Sequence, residues 1–176
     1  MRKVILFIAM SLDGYIADDA GGVDWLSEQT DDNHTSDPYS EFIENIDTVI
    51  MGFRTYHQIV TELSPNTWVY DNLTSYVLTH RTLPSSESII FTEKSPGVLL
   101  PQLKTQPGKD IWICGGSKIV SQCVIADCID EYYLSIIPTI LGSGIPLFQK
   151  GLPTRRLKLL ETKSRNGITE VRYARR

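Results

Sequence analysis

In residues 110–124, DIWICGGSKIVSQCV, a short apolar run stops on Gly115 and Gly116 and turns at once into helical spacing. Neither glycine carries a Cβ to hold a ligand off the backbone. Ser117 stands as a candidate N-cap, and Lys118, Ile119 and Val120 open the helix. Unpaired N–H groups at the positive end of a helix suit a phosphate, and Lys118 adds charge. Alone, the glycine pair fits equally a tight strand-to-helix turn with no ligand, because the full GxGxxG dinucleotide fingerprint is absent.

Two further strand ends carry compatible donors. In IMGFRTYHQIV, residues 50–60, Gly52 permits close backbone approach, and Arg54 and Thr55 lie at the start of a new helix. Both side chains can donate to phosphate, although Arg54 also reads as a plain surface cation. YVLTHRTLP places Thr79, His80 and Arg81 just beyond the apolar part of another strand. In open α/β sheets, ligands collect at such carboxyl ends. A fourth stretch, IAMSLDGYIADDAGGVDWL, runs from a strand into Ser11, Asp13 and Gly14, then into a loop with Trp25 that could close over a ligand. Asp13 as a turn cap and Trp25 as a core residue are the plainer readings.

These stretches need elements to position them. Continuous apolar runs at residues 3–9, 48–51, 76–79, 88–91 and 111–114 have the pattern of strands covered on both faces. Helical spacing falls between them, at Tyr39, Phe42, Ile43 and Ile46, and again at Tyr56, Ile59 and Val60. The alternation predicts an α/β fold with a largely parallel sheet. The last third differs: IDEYYLSIIPTI reads as one long strand, and two alternating segments flank Asn166-Gly167, a strong hairpin signal. An antiparallel edge on a mostly parallel sheet follows. No linker or repeat divides residues 1–176, which are expected to form a single domain, although residues 18–38 make a long polar loop of the functional kind.

The chain has 176 residues, 41% of them apolar and 22% charged, with a formal charge of −4. This balance describes a globular protein and argues against general affinity for nucleic acid or anionic lipid. The opening MRKVILFIAM is too short and lacks the cleavage site of a signal peptide, so it reads as a first strand. No segment approaches the roughly 18 apolar residues of a membrane span. Cys114, Cys123 and Cys128 match neither a disulfide framework nor a zinc pattern, and reduced thiols in the cytoplasm are expected.

Taken together, SLDGYIA, MGFRTY, VLTHR, ICGGSKIV and DEYYLSIIPTILGSGIPLF resemble, in order, the dihydrofolate reductase superfamily. They are most similar to its branch containing the reductase domain of bifunctional riboflavin biosynthesis proteins. The resemblance implies a three-layer α/β/α fold with a mostly parallel mixed sheet and an antiparallel C-terminal hairpin. It implies NADPH as cofactor. By position, Ala9 and Ile16 would line the nicotinamide pocket, and Gly115, Gly116, Ser117, Lys118 and Ile119 would hold the pyrophosphate across a cis Gly115-Gly116 peptide. Gly52, Arg54, Thr55, Thr79, His80 and Arg81 would face the adenosine ribose and its 2′-phosphate. The family's usual arginine directly after the glycine is Phe53 here.

On the substrate side, true dihydrofolate reductases carry a carboxylate on the first helix after a Trp-x-x-Pro-like stretch. Trp25 is present, but LSEQTDDNHTSDP does not match that motif, and Asp31, Asp32, Asp37 and Glu41 are catalytic candidates by position alone. Ser135 falls where the family often has a threonine near the pterin, and Ser11 joins it as a substrate-side candidate. The expected function is hydride transfer from NADPH to a small heterocycle, ribosylaminopyrimidine-like or pterin-like. The alternative is an NADP(H)-binding sensor or scaffold without turnover. The resemblance also implies a homodimer.

Overall fold

The computed structural model describes residues 1–27 and 38–176. Its strands are β1 (Val4–Ser11), β2 (Tyr15–Ala17), β3 (Ile46–Gly52), β4 (Thr74–Leu78), β5 (Ile89–Thr92), β6 (Asp110–Gly115), β7 (Glu131–Ile137), β8 (Ile145–Pro146), β9 (Leu157–Arg165) and β10 (Ile168–Arg175). The helices are α1 (Pro38–Ile43), α2 (Phe53–Gln58), α3 (Pro96–Lys104) and α4 (Ser117–Ile125), with a wider helical turn at Ile59–Leu63 prolonging α2.

Four of the apolar runs form β1, β3, β4 and β6 inside an eight-stranded sheet in the order β5-β4-β3-β6-β1-β7-β10-β9, while the run at 88–91, expected to be covered on both faces, forms the half-buried edge strand β5. All neighbours from β5 to β7 are parallel, and β10 and β9 close the sheet antiparallel. Helices cover both faces. On one, Leu99, Leu100 and Leu103 of α3 and Ile119, Val120 and Cys123 of α4 pack on Val4, Leu6, Ile50, Ile111 and Ile113. On the other, Phe42 of α1 and Ile59 pack on Ile5, Val49, Met51 and Trp112. Alternate residues of each strand thus serve opposite layers, as strand geometry requires.

One local expectation changes, and helix α3 was not anticipated from the sequence. Ile46 belongs to β3: α1 ends at Ile43, and the Asn45 N–H closes a turn onto Phe42 O at 3.2 Å before the strand begins. The segment with Pro96, Gly97 and Pro101 forms helix α3 despite poor local propensity, because three leucines on one face are buried. The hairpin appears as expected, with Asn166 at φ 51° and Gly167 at φ 76°, the left-handed pair that a type I′ turn needs.

Buried charge fastens the amino ends of the parallel strands. Arg2 donates to Lys109 O at 2.5 Å and to Thr48 Oγ1 at 2.6 Å, and it pairs with Asp47. Glu131, 5% exposed, accepts from Lys3 Nζ at 2.6 Å and from Arg172 Nε at 2.8 Å, joining β1, β7 and β10. Burial pushes the Glu131 carboxyl upward, but Lys3 and Arg172 outweigh it and hold it below the ordinary 4.5. A lowered folded-state value gives stability that is complete above the unfolded value and is lost as pH falls through the folded one. Glu131→Gln is therefore expected to destabilise the protein by about 1.5–3 kcal/mol at neutral pH. It should also flatten the loss of stability on acidification below 4.5. Urea midpoints across that range check both effects, and an unchanged acid limb would exclude this carboxylate as its source.

Candidate functional site

Parallel pairing brings the opening stretches to one edge. Met51 pairs with Gly115, Gly52 with Leu78, and Leu78 with Thr92, so β3, β4, β5 and β6 end at nearly one level. There α2 and α4 begin, and their first turns approach so closely that a side chain at either glycine would be tighter than ordinary contact. A Cβ on Gly52 would stand 3.1 Å from Ile119 Cγ1, and one on Gly116 would stand 3.3 Å from Thr55 Oγ1. Gly115 has φ +128°, a conformation open to glycine, and the Gly115-Gly116 peptide is cis, as the family resemblance implies. At the start of α4 the N–H groups of Ser117 and Lys118 precede the first bonds of the helix, which run from Ile119 and Val120 to Gly116 O at 2.9 and 3.1 Å.

Ser117 does not cap the helix. Gly116 occupies the N-cap position, and the Ser117 hydroxyl, almost wholly buried, donates to Pro146 O at 2.6 Å. It fastens α4 to β8 instead, because as the first residue of the helix its side chain points back toward that strand. Lys118, Arg54, His80 and Arg81 are exposed, and Thr55 and Thr79 are half-buried. The Arg81 guanidinium lies 4.3 Å over the Phe53 ring, and its backbone N–H donates to Thr79 Oγ1 at 3.1 Å. Phe53, where the family has a cation, thus supports one from the neighbouring strand.

Ala9 is in register with Ser135 on β7, both half-buried, and Ile16 packs against the α3–α4 layer. Ser11 is fully buried, and its hydroxyl serves the turn: it donates to Asp13 Oδ1 at 2.6 Å and accepts from the Tyr15 N–H at 2.9 Å. Asp13 in turn accepts from the N–H groups of Leu141 at 3.2 Å and Gly142 at 2.7 Å. The hydrogen bond from Ser11 is the largest influence holding the Asp13 carboxyl below its ordinary value, with both backbone donors assisting. Asp13 therefore binds the glycine loop after β7 to the end of β1. Farther on, Asp18 accepts from the Gly22 N–H at 2.7 Å, and Gln58 donates to Gly21 O at 2.9 Å, holding this loop beside α2 and Arg54.

The face of the sheet below α1 is aromatic. Phe7 stacks on Phe42 at 4.3 Å and meets Tyr133 edge-on at 4.9 Å, and Tyr39 and Tyr70 meet Trp112 at 5.8 and 5.1 Å. Tyr70 Oη lies 3.7 Å from Cys114 Sγ, immediately before the glycine pair. Burial pushes the Cys114 thiol up to about 11 and the Tyr70 phenol upward as well, so both stay protonated at neutral pH. Trp25 is 8% exposed, and its indole N–H has no partner among the described residues. Glu41 is exposed on α1, while Asp31, Asp32 and Asp37 lie outside the described residues. Sequence reasoning passed over Tyr70, Gln58 and the support that Phe53 gives Arg81. A phenylalanine directly after Gly52, with an arginine beyond the next strand, was the available signal for the last.

The sequence profile of the RibD C-terminal domain matches residues 2–171. The uncharacterized protein YwjB of Bacillus subtilis is 37% identical over 179 residues, covering 99% of this chain and 98% of that one. A crystal structure from Shewanella sp. PV-4, provisionally assigned to riboflavin biosynthesis, superposes with a TM-score of 0.86 at 25% identity over 99% of both chains. Dihydrofolate reductase from Enterococcus faecalis, complexed with NADP(H) and RAB-propyl, shares the fold with a TM-score of 0.69 at 16% identity. That match covers 98% of this chain and 96% of the reductase.

The link through Asp13 is directly testable. Asp13→Ala is expected to speed hydrogen exchange at the Leu141 and Gly142 amides by roughly an order of magnitude while leaving β1 protected. Unchanged exchange at both amides would show that the glycine loop is held by other contacts.

Proposed function

The chain belongs to the RibD C-terminal domain family, a family of reductase type, and from that premise we propose that it is an NADPH-dependent reductase of a small heterocycle. The observation that carries the reading is the cleared edge where Gly52 and Gly116 meet Ile119 and Thr55. A dinucleotide diphosphate needs N–H donors, a hydroxyl and the absence of Cβ atoms, and this edge supplies all three. The residues therefore fit the cofactor. The Enterococcus enzyme of the same fold holds NADP(H), which supports the choice.

Bound NADPH would supply a hydride from the nicotinamide C4 to a C=N or C=O carbon. The protein's contribution is binding and orientation. Gly115, Gly116, Ser117, Lys118 and Ile119, with Thr55, would hold the diphosphate through backbone N–H groups and one hydroxyl. Arg81 on its Phe53 support, with Arg54, Thr79 and His80, would meet the 2′-phosphate. Ala9 and Ile16 would line the nicotinamide pocket, and Ser135 and Trp25, whose indole N–H has no partner among the described residues, would face the substrate. The loop that Gln58 holds beside α2 would exclude water. The substrate would be a ribosylaminopyrimidine-like or pterin-like ring, the class that the family resemblance implies. The three free cysteines accord with a reducing cytoplasm, and a homodimer would cover the exposed Leu159 and Leu160 of β9.

NADPH is expected to raise thermal stability, by about 2.7 kcal/mol at a hundredfold excess over its dissociation constant. Gly116→Val should abolish that gain without unfolding the chain. Arg81→Ala should weaken NADPH by about tenfold or more, the scale of one charge-assisted contact, and leave NADH unchanged. Loss of NADPH absorbance with dihydrofolate or a ribosylaminopyrimidine then reports turnover. Tight NADPH binding without turnover on either would favour a sensor, and full affinity in Gly116→Val would remove the diphosphate assignment.

A further inference from the structure

Cys123 and Cys128 have no part in the scheme above, and the fold sets them side by side. Helix α4 ends in a Schellman motif. The Cys128 N–H donates to Cys123 O at 3.1 Å and the Asp127 N–H to Val124 O at 3.2 Å, the 6→1 and 5→2 bonds of that cap. Asp127 turns the chain with a φ of 51°, the left-handed conformation the motif requires. Residues joined by the 6→1 bond often touch through apolar side chains. Here both are cysteines, so the contact that closes the cap is made by two thiols.

Cys123 is fully buried in the layer of α3 and α4, whereas Cys128 is half-buried, with its Sγ 3.3 Å from Cys123 O. The two thiols interact directly, and that interaction is the largest influence on each. Together with burial it pushes the Cys123 thiol up, and against burial it holds the Cys128 thiol below its ordinary 9.0. Lys104 assists ionisation of Cys128 and Asp130 opposes it, while those two pair with each other at 2.6 Å. The nucleophilic thiolate therefore forms on the less buried residue, with a second thiol already against it. That is the arrangement of a reactive cysteine with a resolving partner. Cys114 is the opposite case: burial pushes its thiol up to about 11, and its neighbour is the Tyr70 phenol.

We propose that Cys123 and Cys128 form a reversible dithiol/disulfide site at the C-terminal cap of α4, with a hydroperoxide as oxidant. The Cys128 thiolate attacks one peroxide oxygen, the O–O bond breaks, and Cys128 becomes a sulfenic acid as water leaves. The Cys123 sulfur then attacks the Cys128 sulfur. An S–S bond forms, the S–O bond breaks, and a second water carries away the Cys123 proton. Two thiols give up two electrons, and the hydroperoxide takes them. The new bond ties the end of α4 to the segment entering β7, where the Asp130 N–H already donates to Val4 O at 2.8 Å. Because α4 presents Gly116 at its other end, oxidation clamps the helix that borders the cleared edge and spares Cys114 beside the glycine pair.

The test treats the reduced full chain with one equivalent of hydrogen peroxide, quenches with N-ethylmaleimide and maps the peptides by mass spectrometry. Wild type is expected to give a Cys123–Cys128 linked peptide within one chain before any change at Cys114, and dithiothreitol should restore all of the thiols. Hydrogen exchange at the Asp127 and Cys128 amides should slow by about tenfold or more in the oxidised protein. Cys123→Ala should stop at a Cys128 sulfenic acid that dimedone traps, and Cys128→Ala should slow peroxide consumption by about tenfold or more. Where an alanine variant does not fold, limiting N-ethylmaleimide on reduced wild type replaces it, and Cys128 should be alkylated first. First oxidation or alkylation at Cys114, disulfides only between chains, or unchanged exchange at both amides overturns the assignment.

Discussion

The close approach of α2 and α4 at the carboxyl edge is the constraint on which the rest of the site depends. Both helices begin where a parallel strand stops, and their first turns meet across Gly52 and Gly116. With 3.1 Å to Ile119 at one glycine and 3.3 Å to Thr55 at the other, a methyl group at either would be tighter than ordinary contact, and the Ile119 or Thr55 side chain would have to give way by a few tenths of an ångström. A shift of Thr55 would move its hydroxyl relative to the amides of α4, and Phe53, at the start of the same turn, is the seat of Arg81. One steric condition, met twice, therefore sets the spacing of a hydroxyl, a row of N–H groups and a guanidinium that lie far apart in the chain.

Much of this was legible in the sequence, and the reasons are local. A glycine pair ending an apolar run, or Asn166-Gly167 between alternating segments, declares its geometry within a few residues. The parallel sheet followed from the apolar runs and the helical spacing between them. Helix α3 was not legible, because Pro96, Gly97 and Pro101 oppose a helix locally, and it forms because Leu99, Leu100 and Leu103 find the α4 layer. Ser117 looked like a cap because its type and place fit one, but Pro146, distant in sequence, takes its hydroxyl. Arg81 on Phe53, Tyr70 beside Cys114 and Tyr133 beside Glu170 are likewise relations between strands or loops, and single-strand spacing carries no trace of them.

The distribution of charge joins the fold to the site. At the amino edge, Arg2, Lys3 and Lys104 are each paired with an acid, and those pairs bind β1, β3 and β7 to their neighbours. At the carboxyl edge, among the described residues, no ion pair involves Arg54, Arg81 or Lys118. A chain with a net charge of −4 has acids to spare, so unpaired cations gathered at one edge do not follow from composition. They lie where strand ends and helix starts already direct partial positive charge outward. An acid placed among them would fill the room that an anion needs. Pairing at the amino edge holds the parallel strands in register, and the lack of ion pairs at the carboxyl edge, among the described residues, is what the proposed phosphate site requires.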